Sequence, residues 1–123
     1  ERKMYNRNKQ NIYLQNQVMT ATPKKLIILL YDGCIKFMNL AERAILDKKM
    51  EDAHINLIKA QNIVMELKGT LNFEDGAVIA EELDTIYGHL NTALIKANID
   101  KDAEQVKKCC SVMQDLRASW VEV

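Results

Sequence analysis

A single proline and four glycines are all the chain-breaking residues found in 123 positions. A sheet-rich fold of this size needs many more turns than such sparse punctuation supplies, so helices are expected throughout. Aromatic residues are scarce at 6%, and neither sign of charge prevails, with 17 Lys plus Arg against 17 Asp plus Glu. A protein that binds DNA, RNA or an anionic membrane is expected to carry a basic face, and this balance offers none. Arg2, Lys3, Arg7 and Lys9 make the N-terminal stretch locally basic and read as a solvated tail. The longest purely apolar run, Leu26 to Tyr31, is far too short to span a bilayer, and no signal peptide stands out. Cysteines are few and odd in number: Cys34 and the adjacent pair Cys109 and Cys110. Such a set is no secreted disulfide framework, and a reducing cytoplasm is the natural compartment.

What is present is helical rhythm. Residues 1–21, rich in Asn, Gln, Lys and Arg, read as an N-terminal arm, and residues 22–123 as one bundle domain. Thr22 is placed to cap a first helix and Pro23 to occupy its first turn, where the missing N–H costs nothing. From Pro23 to about Asp47, Leu26, Leu30, Gly33, Phe37, Leu40 and Ala44 follow steps of four and three. A second stripe, Ile27, Tyr31, Cys34, Met38, Ala41 and Ile45, runs beside it, so the apolar surface is wider than one seam requires. The second helix, about Met50 to Asn72, carries Met50, Ala53, Leu57, Ala60, Val64, Leu67 and Leu71. After the connection Phe73 to Gly76, a third helix carries Ile79, Leu83, Ile86, Leu90, Ala93 and Ala97. Asp100 is the expected cap of a fourth, with Val106, Cys109, Met113, Leu116 and Trp120 as its stripe. Four helices of similar length with short connections predict an all-α, antiparallel up-down-up-down four-helix bundle.

Catalytic constellations are missing from the sequence. Glu51-x-x-His54 has the spacing that carboxylate-bridged metal proteins use, but those sites need the motif twice. Three residues before the other histidine, His89, stands Ile86, so a metal is not expected. No phosphate-cradling glycine loop and no nucleophile elbow occurs, and Cys109-Cys110 lacks the two-residue gap of redox and zinc motifs. Cys109 reads as a small core residue and Cys110 as its less buried neighbour. The expectation is a non-enzymatic protein without cofactors. Gly33 and Gly88, inside helices, either mark close helix–helix approach or leave backbone open to a partner.

Val18-Met19-Thr20-Ala21-Thr22-Pro23-Lys24-Lys25-Leu26, followed by Leu30-Tyr31-Asp32-Gly33, resembles the opening of the flagellin export chaperones (FliS). The stretch Leu57 to Leu67 in the second helix, Leu94-Ile95-Lys96-Ala97-Asn98 in the third and Leu116-Arg117-Ala118-Ser119-Trp120 in the fourth are similar to that family in the same order. The chain departs from it at Gly88, where the family usually carries an acid, and at Thr92-Ala93, where an arginine pair is usual. The resemblance implies a mainly monomeric cytoplasmic chaperone that binds the disordered C-terminal region of flagellin, prevents its premature polymerisation and aids its delivery to the export apparatus. Its partners would be flagellin and a component of the flagellar export gate.

On that reading the expected contacts are Ile12, Tyr13 and Val18 of the arm, Ile27, Leu30, Tyr31 and Cys34 of the first helix, and Asn62 and Glu66 for polar register. Each helix residue among them also fits a core role. The rival reading is a regulatory bundle that self-associates through the same apolar face, and sedimentation at two concentrations separates the two. Replacing Tyr13 by Ala weakens binding of flagellin or of the export gate and leaves the melting temperature nearly unchanged. A large stability loss excludes that role for Tyr13.

Overall fold

The computed structural model describes residues 23–74 and 76–122. The expected cap Thr22 and the arm residues Ile12, Tyr13 and Val18 lie outside the described residues. Four helices appear in order: α1 (Pro23–Leu46), α2 (Met50–Gly69), α3 (Ala77–Asp100) and α4 (Ala103–Glu122). No strand occurs among the described residues. Each helix packs on its neighbours in a closed ring, α1 on α2 and α4, and α3 on α2 and α4.

Side-chain partners give the direction of each helix. Going along α2 from His54 to Lys68, the partner on α3 moves back from Asn98 to Asp84. Along α1, Lys24, Asp32 and Asn39 meet Val121, Arg117 and Cys110 of α4 in descending order. Neighbours are therefore antiparallel, as matched helices joined by short turns require.

Two of the three turns end their helices in the same way. Lys48 and Lys101 adopt left-handed backbone at φ 59° and 50°. Lys49 N–H then reaches back to Ala44 O at 2.8 Å, and Asp102 N–H to Ala97 O at 3.0 Å. These bonds satisfy carbonyls that the helix ends would otherwise orphan, as in the Schellman motif, with lysine standing where glycine is usual. Lys101 adds its own ties, its Nζ donating to Asn98 O at 2.6 Å and to Asn98 Oδ1 at 2.7 Å. The α4 cap is Asp102 and not Asp100: Asp102 Oδ1 accepts from Gln105 N–H at 3.2 Å, whereas Asp100 is the last residue of α3. The left-handed turn at Lys101 moves the capping position two residues onward. Helix α2 also stops at Gly69, short of Asn72, because Thr70 turns its N–H and its hydroxyl onto Leu67 O.

The core sits on a different stripe of α1 from the one the four-three spacing marked first. Tyr31, Cys34, Met38, Ala41, Ala44 and Ile45 are buried, whereas Leu26, Leu30 and Phe37 are half-buried and Leu40 is 45% exposed. On α3 the inward residues are Ala80, Tyr87, Leu90, Leu94, Ala97 and Asn98, so the expected stripe divides: Leu90 and Ala97 are in the core, whereas Ile79, Leu83, Ile86 and Ala93 lie at its edge toward α4. Met50, expected in the core, is exposed. Cys110 is nearly as buried as Cys109, with its Sγ donating to Asn39 Oδ1 at 3.4 Å.

The two helical glycines differ. A Cβ at Gly33 would meet Ile63 Cδ1 at 3.3 Å, which marks close approach of α1 and α2. A Cβ at Gly88 would meet nothing within 4 Å, so close packing does not account for that glycine. Gly88→Ala is therefore expected to stabilise the fold by about 0.5–1 kcal/mol, through the lower entropy of the unfolded chain. Gly33→Ala gains less because Ile63 must give way. Urea unfolding of both variants measures the difference.

Candidate binding groove

The end of the bundle where α1 and α3 begin and α2 and α4 finish is held by a buried polar knot. Trp120 Nε1–H of α4 donates to Tyr31 Oη of α1 at 2.7 Å, and Tyr31 shares a second hydrogen bond with Tyr87 Oη of α3. The Tyr31 and Trp120 rings lie 6.5 Å apart and tilted by 43°. Burial raises the pKa of both phenols, and for Tyr87 the bond to Tyr31 adds to the rise. Each hydroxyl would carry a desolvation cost alone, and the knot satisfies all three groups at once.

Beside this knot the surface opens. A cleft of about 320 Å³ is lined by Ile27, Leu71, Ile79, Leu83, Tyr87 and Trp120, among others. A second, of about 250 Å³, continues between α3 and α4 over Ile79, Leu83, Leu116, Ser119 and Trp120. Further along the same helix pair a third, of about 310 Å³, is lined by Ile86, His89, Leu90, Ala93, Gln105, Lys108, Cys109 and Val112. The α3–α4 interface is the loosest of the four, and the second and third clefts lie along it. Its outer wall leaves Ile79 66% and Val112 40% exposed. An apolar trough of this kind suits a helix that presents anchors at i, i+3, i+4 and i+7.

The expected contact residues fall into three groups. Ile27 lines the first cleft, and Leu30 is half-buried against the core. Asn62 and Glu66 are exposed on α2, on the opposite side of the bundle from α4. Tyr31 and Cys34 present no surface in this structure, being fully buried in the bundle interior, where Cys34 Sγ donates to Ala60 O at 3.6 Å. The residues that sequence reasoning missed are those of the α3–α4 groove: Ile79, Leu83, Val112, Leu116 and Trp120. Their signal was present, since Ile79, Ile86 and Ala93 repeat at sevens, but a stripe at helical spacing was read as core.

Among the described residues no group of three or more His, Cys, Asp or Glu side chains is placed to hold a metal ion. His54 is engaged otherwise. Asn98 Oδ1 accepts from Lys101, which leaves Asn98 Nδ2 to donate to His54 Nδ1 at 2.9 Å. The three thiols are free and buried. Burial first, then the neighbouring thiols, pushes Cys34 up to about 12 and Cys109 up to about 11. Such thiols remain protonated and unreactive at neutral pH. No helix is long and apolar enough to cross a membrane among the described residues.

The raised thiols and phenols give stability a direction with pH. In the unfolded chain the cysteines ionise near pH 9, while in the fold they hold their protons to about 11 and 12. Above pH 9 the unfolded state binds fewer protons than the native one, so stability present below that pH is lost as pH rises. Thermal melts should show Cys34→Ala less stable than the native chain at pH 8, with the gap narrowing toward pH 11.

Comparison with known proteins now bears on this architecture. The family model for flagellar protein FliS matches residues 4–123. The flagellar secretion chaperone FliS of Bacillus subtilis is 39% identical over 113 residues, which cover 92% of this chain and 84% of that one. The protein of the same name from Campylobacter jejuni is 31% identical over 120 residues, covering 98% and 94%. A crystal structure of a bacterial flagellar chaperone superposes with a TM-score of 0.77 over 95% of both chains, at 24% identity, and so supports the fold. With a family match over nearly its whole length and two such relatives, the chain belongs to the FliS family of flagellar secretion chaperones.

Proposed function

We propose that this protein binds the disordered C-terminal segment of flagellin in the cytoplasm, keeps it from polymerising early and hands it to the export apparatus. It acts by binding alone, without catalysis or cofactor, and chiefly as a monomer. The observation that carries the reading is the apolar groove between α3 and α4, with Ile79 and Val112 left open on a bundle whose core is complete without them. Relatives named as flagellar secretion chaperones support a client drawn from flagellar export.

The energetics suit a reversible grip. Ordering a disordered segment costs about 2–5 kcal/mol or more. Each Leu-sized anchor that is fully buried returns about 1.5–3 kcal/mol. A handful of anchors exceeds the ordering cost without making release at the export gate prohibitive. The arm residues Ile12, Tyr13 and Val18, with Ile27 and Leu30 on α1 and Asn62 and Glu66 on α2, form a second proposed contact set, available to the same client or to the export gate.

Calorimetric titration with a flagellin C-terminal peptide tests the reading directly, and absence of heat and of any shift overturns it. Ile79→Lys and Val112→Lys are expected each to weaken binding by about tenfold, the equivalent of 1.4 kcal/mol, because each removes one apolar anchor. Both side chains are exposed, so the melting temperature should stay close to that of the native chain. A lowered melting temperature with unchanged affinity places the client elsewhere.

A further inference from the structure

The turn that joins α3 to α4 is tied to α2 through three side chains whose hydrogen bonds run in one direction only. Lys101 adopts left-handed backbone at φ 50°, a conformation that carries a steric cost for any residue with a Cβ. Its ammonium folds back onto Asn98, donating to Asn98 O at 2.6 Å and to Asn98 Oδ1 at 2.7 Å. An ammonium only donates, so the amide atom that faces it is the oxygen. The amide nitrogen, also a donor only, therefore faces His54 Nδ1 at 2.9 Å, and that ring nitrogen accepts. His54 is thus held as the neutral tautomer with its proton on Nε2. Asn98 is buried, at 8% exposure, whereas His54 is exposed and within reach of solvent protons.

We propose that this chain of bonds is an acid-sensitive latch: one proton on His54 breaks the tie between α2 and α3 and loosens the turn at Lys101. Protonation makes Nδ1 a donor, which sets N–H against N–H across 2.9 Å. Asn98 has no relief in turning its amide over, because its NH2 would then face the Lys101 ammonium. The groups around His54 do not replace the lost acceptor. From α3, Asn98 and the preceding Ile95 and Asn91 carry no charge. The turn contributes Lys101, a cation that opposes a second positive charge beside Asn98. On α2, Ile58 stands one turn onward and Glu51 one turn back. Glu51 favours the charged ring, yet His54 has no ion pair among the described residues. Asp100 and Asp102 flank Lys101, and Asp102 Oδ1 is taken by Gln105 N–H. The unfolded chain has no such bond to lose and so binds the proton more readily. Stability held by the latch is therefore present at neutral pH and lost as pH falls through the ordinary histidine range, about 6.5. The effect falls on the covalent joint of the α3–α4 pair, where Asp102 N–H closes the turn on Ala97 O at 3.0 Å. It does not depend on what fills the groove.

Nitrogen NMR and amide hydrogen exchange on the full chain test the latch. At pH 7.5 the ring shifts of His54 should show a bare Nδ1 and a protonated Nε2. Between pH 7.5 and 5.5, exchange of Asp102 N–H, corrected for its intrinsic pH dependence, should quicken about three- to tenfold, the weight of one net hydrogen bond. Amides of the buried core residues Leu57 and Met113 should change far less. His54→Asn sets an amide oxygen where Nδ1 stood, an acceptor at either pH, so the acceleration should vanish. Asn98→Asp should reverse its sense, because a carboxylate accepts from Lys101 and from a protonated His54 alike. In that variant Asp102 N–H should exchange more slowly at pH 5.5 than at pH 7.5. An acceleration of native size in His54→Asn puts the sensing proton elsewhere and overturns the proposal. So does a proton on Nδ1 at pH 7.5, an Asp102 amide indifferent to pH in the native chain, or an unreversed response in Asn98→Asp. The native-chain measurements decide the matter even where a variant fails to fold.

Discussion

Two buried phenol hydroxyls and a part-buried indole N–H meet where α1, α3 and α4 converge. Unsatisfied, each buried hydroxyl would cost on the order of 1–3 kcal/mol, and the register the three helices adopt satisfies both. Tyr31 sits at the centre, accepting from Trp120 and sharing a bond with Tyr87 on the helix diagonally opposite. Apolar packing tolerates small slides of one helix along another, whereas this knot does not. Much of the bundle's geometry follows from it. Trp120 is held at the edge of the core with its ring facing the clefts, so the wall of the groove is built from the same side chain that fixes the register.

How much of this could be read in advance depends on what each residue's spacing can encode. The number and direction of the helices were legible, because Pro23, the glycine-poor connections and the three-four steps are local signals. The family was legible from short stretches such as Thr22-Pro23 and Leu116 to Trp120. Which of two adjoining stripes on α1 faces inward was not. Leu26, Leu30 and Phe37 differ from Tyr31, Cys34 and Met38 by a rotation of about 100°. Hydrophobicity alone cannot rank two apolar arcs that close together. The decision came from polar pairing: a tyrosine was drawn inward because Tyr87 and Trp120 wait for it. The same limit hid the groove. Ile79 and Ile86 repeat like core residues, and only the looseness of the α3–α4 interface sets them at its edge.

The conflict between core and surface roles falls most clearly on Tyr31 and Cys34. Tyr31 lies in the stretch that carries the family resemblance and Cys34 follows it directly, yet both are fully buried. Both have an interior role: Tyr31 centres the knot and Cys34 packs against Ala60. The departures at Gly88 and Thr92 lie outside that core. Gly88 is followed a turn later by Thr92, whose hydroxyl donates to Gly88 O at 3.1 Å.

The turn at Lys101 has a mechanical consequence. Helices α3 and α4 are joined there by two residues, whereas at the far end no turn links them directly and Trp120 reaches α3 only through Tyr31 of α1. Any widening of the groove must pivot about the tethered end. A displacement of a fraction of an ångström beside Gln105 grows, as with the blades of scissors, to several times that beside Trp120. The end at Trp120 is the part of the trough that can gape, and the end at Lys101 is the fulcrum.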